Sequence, residues 1–171
     1  MRRILPQKFF NQPALKIAEF LLGKFLVRKY KGKEITLMIT EVEAYDGFED
    51  RASHAAHGKT ERNKIMFEKG GKWYVYFTYG MHWMLNIVVG PKDYPAAILI
   101  RGAGDINGPA KLTKHLKINK KFNGLKADRK CGLWIEDRGI KISKSKIANL
   151  KRVGVEYAGA WARKPYRFMI K

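Results

Sequence analysis

Two runs of aromatic and β-branched residues, Lys72 to Thr78 and His82 to Val89, flank Tyr79-Gly80-Met81. This pattern predicts a β-hairpin and commits the chain to antiparallel pairing. Other stretches agree. Lys24 to Tyr30 reads as a strand, Lys31-Gly32-Lys33 as a turn, and Glu34 to Tyr45 as a long strand. Ala96 to Arg101 follows Pro95 as another strand. Leu133 to Glu136, Ile140 to Ser143, Val153 to Tyr157 and Tyr166 to Ile170 are short strand candidates. Helices are few. Asn11-Gln12-Pro13 opens one whose apolar spacing runs from Ala14 to Leu22, with Gly23 as its cap. A short one covers Arg62 to Lys69 and stops at Gly70-Gly71; another starts at Gly108-Pro109 and reaches about Leu116. Asp46 to Thr60 is an irregular loop. The expected fold is α+β: helices packed on a curved, mostly antiparallel sheet. With no repeat and no Pro/Gly/Ser linker in 171 residues, one domain spanning 1–171 is expected.

Register in the hairpin is a matter of parity. Opposed residues in an unbulged antiparallel pair have a constant number sum and share a face. A two-residue turn at Gly80-Met81 would put Asn86 on the face opposite to Tyr76. A three-residue loop, Tyr79-Gly80-Met81, opposes Thr78 with His82 and Tyr74 with Asn86, so Asn86 shares a face with Tyr76. The second arrangement is expected, with Tyr79 at the apex and Gly80 free to take a positive φ.

Charge narrows the partners. Thirty-five Lys and Arg against 15 Asp and Glu give a net charge of +20, which calls for a polyanion. From Lys111 to Lys171 there are 18 basic and 4 acidic residues; from Glu34 to Glu61 there are 7 acidic and 2 basic. Most of those acids read as a solvated face turned from the partner, and one reads as a candidate for acid–base chemistry. No apolar run approaches the ~18 residues of a membrane span, and no signal-peptide core follows Met-Arg-Arg. The single Cys131 makes neither an intramolecular disulfide nor a cysteine zinc site. His54-Ala55-Ala56-His57 lacks a third ligand, so neither metal nor cofactor is expected.

On the long strand one face carries Thr36, Met38, Thr40, Val42 and Ala44; the other carries Ile35, Leu37 and Ile39, then Glu41, Glu43 and Tyr45. An apolar stripe that turns acidic puts a carboxylate at the mouth of a core, where pKa values rise. Glu43 and Tyr45 are about 6.6 Å apart on a strand and can line one pocket. Glu41 reads as an edge charge that blocks aggregation. For Glu43 the edge reading and the catalytic reading both stay open on pattern alone. Asn86, a lone amide among Leu85, Ile87, Val88 and Val89, needs a partner, either neighbouring backbone or a ligand edge.

An ordered set of blocks resembles the alkyladenine (methylpurine) DNA glycosylase family. It comprises Glu41-Val42-Glu43-Ala44-Tyr45 with Asp46 to Asp50 and Ala52-Ser53-His54; Arg62-Asn63 and Met66-Phe67; Tyr74-Val75-Tyr76, Tyr79-Gly80-Met81 and Asn86-Ile87; Leu99-Ile100-Arg101; Gly108 to Leu112; Ile118-Asn119-Lys120; and Arg152-Val153-Gly154 running into Trp161 to Pro165. The match runs from about residue 11 to the end. It implies a sheet like the C-terminal domain of formyltransferases and excision of alkylated or deaminated purines from damaged double-stranded DNA. Glu43 would activate the attacking water and Arg101 would help hold both. Tyr45 would stack on one face of the flipped base, with His54 and Tyr76 on the other; Asn86 would disfavour guanine. Tyr79, with Met81 beside it, would fill the gap left in the duplex. Lys111, Lys120 and Arg62 would contact phosphates, with the helix start at Gly108-Pro109 supporting Lys111.

There are departures. The chain from Arg101 to Gly108 is much shorter than in mammalian members, and the stretch from His54 to Arg62 is one residue shorter. Ala110 stands where some members have serine, and His82 and Trp83 replace the usual aromatics. A monomer without membrane association is expected, in the cytoplasm or nucleoid of a prokaryote or the nucleus of a eukaryote, and not secreted. Two other readings are a bifunctional glycosylase-lyase with a lysine nucleophile, and a basic nucleic-acid-binding module without catalysis.

Overall fold

A computed structural model describes residues 2–171. Its ten strands are β1 Arg3–Ile4, β2 Phe25–Tyr30, β3 Lys33–Asp46, β4 Trp73–Thr78, β5 His82–Val88, β6 Ala96–Ala103, β7 Ile106–Asn107, β8 Leu133–Asp137, β9 Ile147–Leu150 and β10 Arg167–Ile170. Two α-helices, α1 Ala14–Leu21 and α2 Pro109–His115, pack on them. The sheet order is β1-β8-β2-β3-β6-β5-β4, with β10 joining β3 to β9 and β7 on β6. Every pair is antiparallel. The fold is thus the expected α+β arrangement.

α1 buries Ala14, Ile17, Ala18 and Leu21, the i, i+3, i+4, i+7 positions of one helical stripe. These join Leu112 and Leu116 around α2, Trp73, Leu85, Ile87, Ile98 and Ile100 in one core. Each leucine or isoleucine among them contributes about 1.5–3 kcal/mol by leaving water. The indole Nε1 of buried Trp73 donates to the Leu133 carbonyl at 3.0 Å, so its polar edge is satisfied.

The hairpin has the expected register: Thr78 opposes His82 and Tyr74 opposes Asn86. Tyr79 (φ +52) and Gly80 (φ +65) turn the chain in the left-handed region.

β3 corrects the reading of its faces. Ile35 and Leu37 pack against the core and Ile39 lies in it, but Val42 and Ala44 lie there too. The ladder with β6 slips twice, between Ile39 and Glu41 and between Glu41 and Val42. Alternation therefore breaks on both strands: Ile39 pairs with Ala103, yet the next core pair is Val42 with Ile100. The apolar stripe does not turn acidic; it crosses to the even residues, and Glu43 and Tyr45 pass to the other side of the sheet. Gly102 sits at the crossing, where a Cβ would stand 3.0 Å from Thr40 Oγ1 and 3.3 Å from both Glu41 Cβ and the Ile106 carbonyl. Nor is Glu41 an edge charge. It is buried, with β6 on one side and β10 on the other, and takes hydrogen bonds from Arg101 and Arg167.

Three further expectations fail. Arg62 to Lys69 forms only one 3-10 turn, Lys64–Phe67, because Asn63 holds the chain in a loop. Its side chain accepts from the Thr60 amide and donates to the His54 and Gly58 carbonyls. Ile140 to Ser143 is not a strand: the Ile140 carbonyl is taken by the Lys24 ammonium, and the segment that joins the sheet beside β10 is β9. Val153 to Tyr157 is not a strand either, since Val153 gives its amide to a side chain and Glu156–Arg163 folds into 3-10 turns joined at Gly159.

Candidate active site

Across the sheet, Glu43 on β3 opposes Leu99 on β6, Leu99 opposes Asn86 on β5, and Asn86 opposes Tyr74 on β4. This cross-strand row, on the face turned from the main core, forms one wall of a cavity of about 410 Å³. Glu43, Tyr45, His54, Tyr76, Tyr79, Asn86 and Arg101, widely spread in sequence, all line it. Its volume lies within the usual range for small-molecule sites.

Glu43 is the chemically distinctive member. It is 0% exposed, and three groups hold it. The Val153 amide donates to Oε1 at 2.8 Å and the Tyr45 hydroxyl donates to Oε2 at 2.9 Å. Arg101 Nη1 stands 3.5 Å from Oε1, while its Nε donates to Glu41 Oε1 at 3.0 Å. Burial raises the Glu43 pKa above the ordinary carboxylate value; the Arg101 charge, the Val153 amide, the Tyr45 hydroxyl and the Arg152 charge oppose the rise. Burial, then the neighbouring Glu43 charge, push the Tyr45 phenol well above its usual value. The result is a carboxylate both desolvated and oriented.

The rest of the cavity is aromatic. His54 lies 4.5 Å from Tyr76, ring centre to ring centre, and its Nδ1 is 3.0 Å from the Tyr74 hydroxyl. The surrounding walls desolvate the imidazole and, with the nearby Arg62 charge, hold its pKa down at about 4. Burial chiefly pushes Tyr76 up to about 12. Asn86 Nδ2 donates to the Tyr74 carbonyl at 3.1 Å, so the amide has the backbone partner its position demands and still lines the cavity.

At the hairpin tip Tyr79 is 79% and Met81 66% exposed, two large apolar groups standing free beside the cavity. Arg62 is exposed at the rim: its Nη2 donates to the Phe77 carbonyl at 3.3 Å and its guanidinium lies 5.5 Å from the Tyr76 ring. Lys111 is exposed on α2, next to Pro109 and Ala110, which line the cavity. Lys120 is exposed at the start of the 3-10 turn Lys120–Phe122 and is not among the lining residues.

Sequence reasoning gave no role to several residues that shape this site. Val153 presents its amide to Glu43, Tyr74 anchors both His54 and Asn86, and Tyr157 stands at the mouth. Asp50 and Arg152 form a buried ion pair behind Tyr45. In the sequence Arg152 is one of many basic residues near the C-terminus, and no local pattern separates a buried arginine from a solvated one.

A family model described as methylpurine-DNA glycosylase matches residues 8–106 and 105–171. The chain belongs to the methylpurine-DNA glycosylase family. Relatives span it nearly end to end. A chain from Methanocella arvoryzae is 38% identical, covering 98% of this chain and 92% of its own length. One from Bdellovibrio bacteriovorus is 40% identical, covering 98% and 95%. One from Borreliella burgdorferi is 39% identical, covering 95% and 94%. Each is named as a candidate 3-methyladenine DNA glycosylase. As a member of this family the chain is a DNA glycosylase, an enzyme of DNA repair whose substrate is DNA.

Proposed function

We propose that the enzyme releases alkylated purines, 3-methyladenine among them, by drawing the damaged nucleotide into this cavity and attacking its glycosidic bond with water activated by Glu43. The observation that carries the reading is a fully buried carboxylate with both oxygens fixed, at the end of an aromatic-lined cavity in a strongly basic protein. The bond is out of reach inside a duplex, so the base has to leave the stack. Tyr79 and Met81, exposed on a tight tip, suit the gap it leaves. Tyr45, His54 and Tyr76 enclose the base, and a purine made cationic by alkylation gains up to about 2 kcal/mol from desolvated aromatic faces. Such a base is already a good leaving group. Glu43 then orients water and stabilises the positive charge that develops on the sugar, with Arg101 holding the carboxylate. Asn86 bounds the base pocket, and Arg62, Lys111 and Lys120 take phosphates.

The reaction stops at hydrolysis. A lyase step needs an amine beside C1′, and among the described residues no lysine lines the cavity. Borohydride trapping on damaged DNA should yield no covalent adduct, and the enzyme should act as a monomer in gel filtration with and without DNA. The decisive experiment is single-turnover release of methylated purines from duplex DNA. Glu43→Gln should bind damaged DNA as the wild type does and release base at least about a hundredfold more slowly. Near-normal release overturns the assignment.

A further inference from the structure

Arg152 stands in the basic C-terminal stretch, where phosphate ligands are expected, yet it is buried. Its guanidinium is committed inside the protein. Nη1 donates to the Ala44 carbonyl at 2.9 Å and to Asp50 Oδ2; Nη2 donates to Asp50 Oδ1 at 2.8 Å and to the Trp161 carbonyl at 3.2 Å. The group lies between two rings, 4.8 Å from the centre of Tyr45 and 5.2 Å from that of Tyr166. Its Nε is buried without a partner, so the geometry favours the fork toward Asp50 and the carbonyls over complete satisfaction of the arginine. Asp50 is equally committed: its other contacts are the amides of Asp46 and Ala52.

Several of these contacts adjoin the walls of the cavity. Ala44 sits between Glu43 and Tyr45. The turn around Asp50 ties the end of β3 to the segment that carries His54. The residue after Arg152 is Val153, whose amide donates to Glu43 Oε1. We propose that Arg152 and Asp50 are positioning residues for base excision: buried away from DNA, they hold the Val153 amide on the Glu43 carboxylate and the Tyr45 ring against the cavity. This rests on Glu43 acting as the base. A neutral residue at 152 removes the anchor from the Val153 backbone and a positive charge from the vicinity of Glu43. Both changes favour the protonated, inactive acid. The other groups facing Glu43 remain: Tyr45 and Glu41 on β3, Arg101 on β6, Tyr76 on β4, and Arg167 on β10, which is bonded to Glu41.

The test follows single-turnover release of 7-methylguanine from duplex DNA across pH, with each variant read against the wild type on the same substrate so that ionisation of the base itself cancels. In Arg152→Gln the acid limb of the rate profile should move up by about one pH unit. On that acid limb the rate should fall about tenfold at a given pH and recover as the pH rises, while DNA affinity and its salt slope stay unchanged. Arg152→Lys, which keeps the charge but not the fork, should fall between the two. If Arg152→Gln does not fold, the pair Asp50→Asn with Arg152→Gln carries the measurement, since it leaves no lone buried charge. Glu136→Gln, at a buried ion pair with Arg138 remote from the cavity lining, should leave the limb in place. A loss equal at every pH, a salt slope lower by about one unit, or the same limb shift in Glu136→Gln overturns the proposal. Glu43→Gln in the same series separates the two ideas. Full activity there sinks the catalytic reading itself, whereas lost activity there with an unmoved limb in Arg152→Gln sinks only the positioning role.

Discussion

Glu43 and His54 illustrate how one cavity shifts two titrations in opposite directions through the same cause. Desolvation penalises the charged form, so it raises the carboxyl and lowers the imidazole. For Glu43 the hydrogen bonds and the arginines oppose the rise without cancelling it; for His54 the Arg62 charge reinforces the loss of the proton. A neutral imidazole suits the cationic purine proposed for this pocket, because a second positive charge there would repel it. The His54 ring should therefore titrate near pH 4 instead of its ordinary 6.5, read by NMR on the ring protons. The linkage has a definite sign. Between those two values the unfolded chain takes up a proton that the folded chain refuses, so stability falls as pH drops through that window. His54→Gln should flatten this part of the stability curve in urea unfolding. A ring that titrates at its ordinary value removes both expectations.

Two elements carry the geometry. The double slip between β3 and β6 is the device that turns Glu43 out of the core while its neighbours Val42 and Ala44 stay in it. Gly102 makes room for it, so Gly102→Val, pressing on Thr40 and Glu41, should destabilise the fold by about 1–3 kcal/mol in chemical denaturation. It should also slow excision, because the same backbone sets the Glu43 carboxylate; an unchanged midpoint would show that the crossing needs no glycine. The β4–β5 hairpin is the second device. Its three-residue loop places Tyr76 and Asn86 on the cavity side and leaves Tyr79 free at the apex. Tyr79→Ala should alter stability by no more than about 0.5 kcal/mol and slow base release from a paired lesion far more than from single-stranded DNA. Equal slowing on both substrates would argue against a gap-filling role.

Over the whole molecule, the net charge of +20 coexists with an acidic stretch at the site. The conflict resolves inside the fold. Glu41, Glu43 and Asp50, three of the seven acids between Glu34 and Glu61, are buried against Arg101, Arg167 and Arg152 rather than displayed to solvent. The expectation of a solvated acidic face thus holds only for the remainder, such as Glu34, Glu49 and Glu61, which are exposed. In the proposed reading, exposed lysines such as Lys111, beside the cavity-lining Pro109 and Ala110, meet the backbone of DNA. Affinity should fall linearly with the logarithm of salt concentration, and Lys111→Ala should lower that slope by about one unit while weakening specific and non-specific binding alike. A slope that does not change takes Lys111 out of the interface.

What the sequence determined by itself was whatever depends on neighbours along the chain. Residues 14, 17, 18 and 21 mark a helix by spacing, Lys31-Gly32 turns β2 into β3, and the parity of Tyr76 and Asn86 requires a three-residue loop; all are present. The basic excess and the ordered blocks around Glu43, Tyr79 and Arg152 pointed to the DNA glycosylase family. Tertiary structure decided whatever depends on distant partners. Whether Glu41 lies at an edge was decided by β10, more than a hundred residues on. Whether Val153 to Tyr157 forms a strand was decided by Glu43, which captures the Val153 amide. Whether Arg152 meets phosphate or protein was decided by Asp50 and by the rings of Tyr45 and Tyr166. A buried polar group has to find its partner wherever the fold brings one, and sequence periodicity carries no record of a partner a hundred residues away.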